Sequence, residues 1–219
     1  MIIYQLNKIV IKKKKKGEYE LRVPWESDQK KFWLHFPFPL LKITSSTLLK
    51  QADKIFQIRA KSIQTLPQLL ARKGGQLSYD DCMNVLYDVG NQLRALEGFH
   101  MAIPYIDVKD IVVVDDKHFF YMDAEKILSI ESGHIAITVP YKENYFFSPE
   151  FKKISGIPTQ IHFMSGFYSL GALVCYCITK KYDEENWRSL LQSIYATKLY
   201  WALERLLQVD PNDRFYLII

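Results

Sequence analysis

The stretch YIDVKDIVVVDDKHFFYMDAEK, Tyr105 to Lys126, gathers five aspartates around an apolar run, Ile111 to Val114. Carboxylates can act as general bases, offer oxygen to a hard cation, or shape turns by hydrogen-bonding nearby backbone. Asp107, Asp110 and Asp123 are open to all three roles. Asp115 and Asp116 stand before Lys117 between two apolar runs, where aspartate favours a turn, and no chemistry is assigned to them.

Other chemistries have little to work with. The five histidines, His35, His100, His118, His134 and His162, are dispersed, and neither an H-E-x-x-H nor a Cys/His spacing points to zinc. Ser169 lacks the G-x-S-x-G surroundings of an exposed nucleophile. Cys82, Cys175 and Cys177 include no C-x-x-C, and the last two, at i and i+2, are badly placed to pair, which predicts a reducing compartment. One run, Lys12 to Lys16, accounts for the whole formal charge of +5. Five lysines can attract a nucleic acid or an anionic membrane surface, although a solvated hairpin tip is the plainer account. The N-terminus places apolar residues before lysines, the reverse of a secretory signal, and the longest apolar stretch, YSLGALVCYCI, is too short to span a bilayer. A soluble, intracellular, cytoplasmic protein without a transmembrane segment is expected.

These side chains need a scaffold. At 219 residues, 48% of them hydrophobic, the chain can bury a sizeable core as one domain or as a large and a small lobe. IIYQLNKIVI and EYELRV flank KKKKKG, which predicts a hairpin with Gly17 near its tip, and KKFWLHFPF alternates as a further strand until its prolines stop it. ITSSTLLKQAD reads as a short helix or a loop, and KIFQIRAKSI as one more strand. From TLPQLLARKGG onward the pattern turns helical. Ser78 with Asp81 three residues on resembles a capping box, and Cys82, Leu86, Val89, Leu93 and Leu96 mark one apolar face of a long helix that contains Gly90. GFYSLGALVCYCIT is apolar all round, which predicts a helix buried on every side. A last helical stretch, ENWRSLLQSIYATKLYWALERLLQVD, runs to a turn at Pro211, and a short strand pair around IVVVDDKHFFYM lies inside this helical body.

This order of elements resembles the protein kinase-like superfamily. ALEGFHMAIPYIDVKDIVVVDD is similar to the end of the long C-lobe helix, the catalytic loop and its hairpin, and YMDAEK falls where the Asp-Phe-Gly motif belongs. FFSPE, Phe146 to Glu150, resembles the Ala-Pro-Glu motif. GFYSLGALVCYCIT resembles the buried helix that opens D-x-W-S-L-G, and LERLLQVDPNDR the helix and turn that carry the family's structural arginine. The resemblance covers residues 55 to 214 and matches the first third poorly. It implies an α+β, two-lobed kinase-like fold. Residues 1–64 form a small, reduced β-rich N-lobe in that reading, and residues 65–219 a mainly helical C-lobe lacking most of the final helix.

What the resemblance implies for chemistry is uneven. Where the family has a G-x-G-x-x-G hairpin this chain has KKKKKG, so only Gly17 would let the backbone approach phosphate. The V-A-I-K strand becomes FWLHF, which sets Trp33 and His35 where alanine and lysine belong, with Trp33 filling adenine space and Lys30, Lys31 and Lys42 as substitutes. No glutamate occurs between Glu26 and Glu97 to pair with any of them. Matching YID to the His/Tyr-Arg-Asp motif makes Asp107 a vestigial base and Lys109 its phosphate-contacting neighbour. Two residues are then deleted before Asp110 replaces the metal-binding asparagine, whereas an ungapped match puts Tyr105 at the base position. Asp123 heads Asp123-Ala124-Glu125 in place of Asp-Phe-Gly, and its spacing from Asp110 fits a hairpin that unites a magnesium pair. Glu150 and Arg214 match the buried ion pair that ties the activation segment to the C-lobe. Gly166 stands where the family has an aspartate bracing the catalytic loop, which implies a loop no longer held for catalysis.

Structural positions are thus better kept than catalytic ones, and the expectation is a pseudokinase that binds a protein partner or another copy of itself without a cofactor. An apolar patch near Phe215 to Ile219 is the expected interface. One alternative is a divergent active kinase that transfers phosphate from ATP, with magnesium, to Ser/Thr through Asp107, Lys109, Asp110 and Asp123. The other is a polyanion binder acting through Lys12, Lys13, Lys14, Lys15 and Lys16. A compact, lysine-rich pseudokinase would also suit packaging in a virus particle.

Overall fold

The computed structural model describes residues 1–25, 32–33, 42–48 and 53–217. Its strands in chain order are β1 (Ile2–Leu6), β2 (Ile9–Lys15), β3 (Glu18–Pro24), β4 (Lys42–Leu48), β5 (Asp53–Arg59), β6 (Ile63–Thr65), β7 (Met101–Ala102), β8 (Ile111–Val114), β9 (His118–Tyr121), β10 (Leu128–Glu131), β11 (His134–Ile137) and β12 (Thr159–His162). The helices are α1 (Leu66–Arg72), α2 (Tyr79–Gly98), α3 (Pro149–Lys152), α4 (Ser165–Thr179), α5 (Trp187–Leu190) and α6 (Lys198–Leu206). The chain is α+β with antiparallel sheets, and it divides into two compact units, Met1–Leu69 with Lys109–Glu125, and Leu70–Val108 with Lys126–Ile219. The β8–β9 hairpin, expected inside the helical body, belongs to the first unit, where β6 pairs with β8 and sets Ile63 opposite Val114.

In the first unit a five-stranded sheet has the order β1-β2-β3-β5-β4. Alternation buries Ile9 and Ile11 of β2, Tyr19, Leu21 and Val23 of β3, and Phe56 and Ile58 of β5. Register lines Ile11, Leu21 and Phe56 up across three strands. IIYQLNKIVI is two strands, because Asn7, at φ 51°, and Lys8 reverse the chain between the paired Leu6 and Ile9. The lysine run therefore lies mostly along β2, with only Lys16 and Gly17 in the following turn, where Gly17 takes φ 77°. ITSSTLLKQAD supplies β4 rather than a helix or loop, and its β-branched Ile43, Thr44 and Thr47 suit a strand. Of KKFWLHFPF only Phe32 and Trp33 are described, and both are helical and buried rather than extended. Glu26, Lys30, Lys31 and His35 lie outside the described residues. A three-stranded sheet, β6-β8-β9, completes the unit.

The second unit is built on α2 and α4. Ser78 Oγ accepts the Asp81 amide at 3.2 Å while the Asp81 carboxylate accepts the Ser78 amide at 3.2 Å, a capping box that starts α2. Cys82, Leu86, Val89, Leu93 and Leu96 are buried along one face. Gly90 is required by contact: a β-carbon there would stand 2.2 Å from the Tyr216 ring, whose Oη donates to the Leu86 carbonyl at 3.1 Å. Helix α4 is buried over nearly its whole length and packs against α2 and α6. The last helical stretch is broken. Helix α5 gives way to a 3-10 turn at Gln192–Ile194, then Ala196 takes φ 60° and the Thr197 side chain caps α6 by accepting the Tyr200 amide. A four-stranded sheet, β12-β11-β10-β7, covers a cluster that includes Tyr105, Ile135, Ile137, Phe147, Phe151 and Ile161. Among the described residues no helix is long and apolar enough to cross a membrane.

Candidate functional site

The β8–β9 hairpin unites two of the three candidate aspartates. Ile111 pairs with Tyr121, and the Met122 amide donates to the Asp110 carbonyl at 2.8 Å, so the strands zip one step further and leave Asp110 and Asp123 at the same end. Asp110 is fully buried and Asp123 is 5% exposed. Asp115 and Asp116, at φ 55° and 58°, make the opposite turn, and Asp115 Oδ1 accepts the amides of Lys61 and Ser62 at 2.6 and 3.1 Å. Asp123 Oδ1 accepts the Glu125 amide at 3.3 Å and so caps a 3-10 turn, Ala124–Lys126. Asn7, in the β1–β2 turn, donates its side-chain amide to Glu125.

Strand β1 adds a residue that sequence reasoning missed. Tyr4 is 5% exposed, and its Oη has no hydrogen-bond partner among the described residues. Burial, and then the negative charge of Asp110 and Asp123, pushes its phenol far above the usual range. The site thus consists of two buried carboxylates with a buried phenol beside them. Among the described residues no group of three or more His, Cys, Asp or Glu side chains could hold a metal. A cation on Asp110 and Asp123 would rest on two carboxylates and its own waters, a donor set compatible with magnesium.

Asp107 belongs to the other unit. Its Oδ2 accepts from Asn144 Nδ2 at 3.0 Å, and Asn144 Oδ1 accepts the Phe146 amide at 2.8 Å, so Asp107 is tied to the segment leading into Ser148-Pro149-Glu150. Lys109 is exposed in the 3-10 turn Val108–Asp110. Tyr105, the alternative base, is buried instead among Tyr141, Phe147 and Phe151, with the Lys126 ammonium 4.2 Å from its ring centre.

The loop of residues 103–107 is held by serines and by close backbone packing rather than by an aspartate at position 166. A β-carbon on Gly166 would stand 2.4 Å from the Ile103 carbonyl oxygen, so the glycine admits the loop backbone where no side chain fits. Ser165 Oγ donates to the Pro104 carbonyl at 2.8 Å, Ser169 Oγ accepts the Ile106 amide at 2.9 Å, and Ser148 Oγ is 2.7 Å from Ser165 Oγ. The available signal was the four-residue spacing of Ser165 and Ser169 on a helix otherwise apolar all round, since a buried hydroxyl needs a partner.

Glu150 and Arg214 form a bidentate pair: Nη1 donates to Oε1 at 2.6 Å and Nη2 to Oε2 at 2.8 Å. The guanidinium also donates to the carbonyls of Gln208 and Val209 and lies over the Tyr168 ring of α4 at 4.7 Å. The lysine run is partly neutralised within its sheet, where Lys14 pairs with Glu20 at 2.9 Å and Lys15 with Glu18 at 3.3 Å. Burial opposes ionisation of Glu20, but Lys14 outweighs it and holds the carboxyl below its usual value. Burial pushes the Cys175 and Cys177 thiols up to about 12, which makes them poor nucleophiles. His134 and His162 face each other across β11 and β12, ring centres 5.7 Å apart. No protein-family model matches this chain, and no curated protein matches it.

Proposed function

We propose that this chain is a degenerate member of the protein kinase-like superfamily, a pseudokinase whose folded shape serves protein binding or assembly. Support for the fold comes from order and from one contact. A five-stranded antiparallel sheet is followed by a long capped helix, an aspartate-bearing hairpin, a Ser-Pro-Glu turn and a buried helix, and Glu150 meets Arg214 as that family's activation-segment pair would. The observation that carries the loss of catalysis is Tyr4, buried beside Asp110 and Asp123 on a strand that ends in the two-residue Asn7–Lys8 turn. Phosphoryl transfer in this fold uses a glycine-rich turn whose backbone covers the phosphates. In this reading the first hairpin turn, Asn7–Lys8 rather than KKKKKG, stands where that loop would be; it is tight, lacks glycine and is tied to Glu125 through Asn7, so it offers no such cover.

A divergent active kinase is the second reading, and its support is that Asp110 and Asp123 still share one end of a hairpin. Those two carboxylates would hold magnesium, which in this chemistry neutralises phosphate charge. A thermal-shift titration with ATP, with and without magnesium, separates the readings. A ligand at a hundred times its dissociation constant stabilises a fold by about 2.7 kcal/mol, so binding is easily seen. The pseudokinase reading expects no shift at millimolar ATP. A magnesium-dependent shift that disappears in the Asp110→Asn, Asp123→Asn double variant would establish the active-kinase reading instead.

A further inference from the structure

Helix α6 presents alternating charge and ring to solvent. Lys198, Trp201 and Arg205 stand at i, i+3 and i+7 on one helical face, with the two cations about 10 Å apart along the axis and the indole between them. Lys198 is exposed and has no ion-pair partner among the described residues, and Trp201 is 45% exposed. Tyr195, 57% exposed, extends the ring surface: its ring centre lies 5.0 Å from that of Tyr200, which in turn lies 5.2 Å from Trp201. At the other end the Arg205 guanidinium lies 5.2 Å from the ring centre of exposed Phe215. Glu204, the acidic residue of this helix, is engaged by Arg188 at 3.1 Å, which leaves the charges of Lys198 and Arg205 uncompensated.

We propose that this face binds single-stranded nucleic acid. A single strand offers a flat ring and an anionic phosphate at every repeat, and the face offers a cation, an exposed aromatic pair and a second cation in the complementary order. An acidic protein segment would satisfy the two charges but would not use an exposed indole at each step. The lysine run on β2, the first suspect for a polyanion, is the poorer candidate because Glu18 and Glu20 already neutralise two of its charges.

The probe is fluorescein-labelled dT20, titrated onto the full chain at low salt while tryptophan emission is followed. Binding should quench the emission that comes from Trp201, which is 45% exposed, whereas Trp33 and Trp187 are buried and Trp25 is half-buried beneath the Lys54 ammonium. Trp201→Ala should weaken binding about tenfold. Trp201→Phe should keep most of the affinity and lose the quench, which preserves the test if the alanine variant misfolds. Lys198→Gln with Arg205→Gln should reduce the slope of log affinity against log salt by about 1.4, two phosphates' worth for a single strand. Lys12 to Lys16 replaced by serine should leave binding unchanged. The proposal is overturned if dT20 does not bind, or if binding survives Trp201→Ala and is lost with the five-lysine variant. It is equally overturned if poly-glutamate or heparin, which carry charge without bases, binds as tightly as dT20.

Discussion

Removing the Arg214 side chain tests the architecture most directly. It takes out four hydrogen bonds, two to Glu150 and one each to the carbonyls of Gln208 and Val209. It also strips a cation from the Tyr168 ring. Breaking a buried ion pair by deleting one partner costs about 3–5 kcal/mol, because the surviving charge is left in a poorly hydrated site. The Arg214 side chain is wholly out of solvent but that of Glu150 keeps 19% exposure, so water can reach the orphaned carboxylate and the lower end, about 3 kcal/mol, is expected for Arg214→Ala. With a urea dependence of about 2–3 kcal/mol/M, the unfolding midpoint followed by circular dichroism should fall by about 1–1.5 M. Arg214→Lys keeps the charge but not the planar fork, and should lose about half as much. Replacing both Glu150 and Arg214 by methionine should be much milder than Arg214→Ala, because no buried charge is stranded. If the alanine variant's midpoint lies within about 0.2 M of the wild type, the pair is not anchoring the Ser-Pro-Glu turn and the structural case for the kinase-like reading fails.

Gly166→Ala should destabilise by about 3 kcal/mol, from overpacking against the Ile103 carbonyl and weakened Ser165 and Ser169 hydrogen bonds, and lower the melting temperature by roughly 6–12 °C; an unchanged melting curve would refute the close approach. Stability should also fall in acid in two stages. Burial and the neighbouring His134 hold the His162 imidazole below its usual value, so the folded state resists a proton that the unfolded chain accepts, and stability declines as pH drops below about 6.5. Asp81 and Glu20 are held low by Lys73 and Lys14 against the effect of burial, and their contributions, complete above the unfolded carboxylate range, are lost at about pH 4 and below. His162→Asn keeps an acceptor for the Met164 amide and should abolish the upper stage alone; its persistence in urea midpoints measured from pH 7 to 5 would exclude His162 as its source.

The helical half of the chain was the legible half. A capping box followed by an apolar residue every three or four positions leaves α2 little alternative, and an all-apolar stretch with no room to span a bilayer has to be the buried α4. Strands gave way where propensity and tertiary context conflict. KKFWLHFPF alternates only loosely, with Phe32, Trp33 and Leu34 adjacent, and its described Phe32 and Trp33 are helical, while ITSST, which reads as a helix or loop, pairs along β5. The β1–β2 turn escaped notice because Asn-Lys is a weaker hairpin signal than the adjacent Lys-Gly, and with it went Tyr4, whose role depends on which face of β1 meets the aspartates. The turn at Asp115 and Asp116 is legible because the backbone reversal is local, although their carboxylates reach Lys61, Ser62 and Gln64; the destination of Asp107 is set by Asn144, thirty-seven residues away.

That destination bears on what the loop is for. A general base has to point at a substrate's proton. In this chain Ser165 and Ser169 grip the carbonyl of Pro104 and the amide of Ile106, fixing the backbone, while the Asp107 carboxylate accepts from Asn144 and so fastens the approach to Ser148-Pro149-Glu150. Ser148 in turn caps α3 and touches Ser165, and Glu150, two residues on, reaches Arg214. Loop, turn and C-terminal arginine are therefore joined by inward-facing hydrogen bonds that fix shape and leave the loop's own carboxylate engaged. Asp107→Asn, which removes the charge but keeps an oxygen for Asn144, should accordingly leave the melting temperature within about 2 °C of the wild type, whereas Asp107→Ala should lower it by about 2–4 °C for the roughly 1 kcal/mol of one lost hydrogen bond. If both variants melt with the wild type, Asp107 does not fasten this segment, and its carboxylate is again a candidate for chemistry.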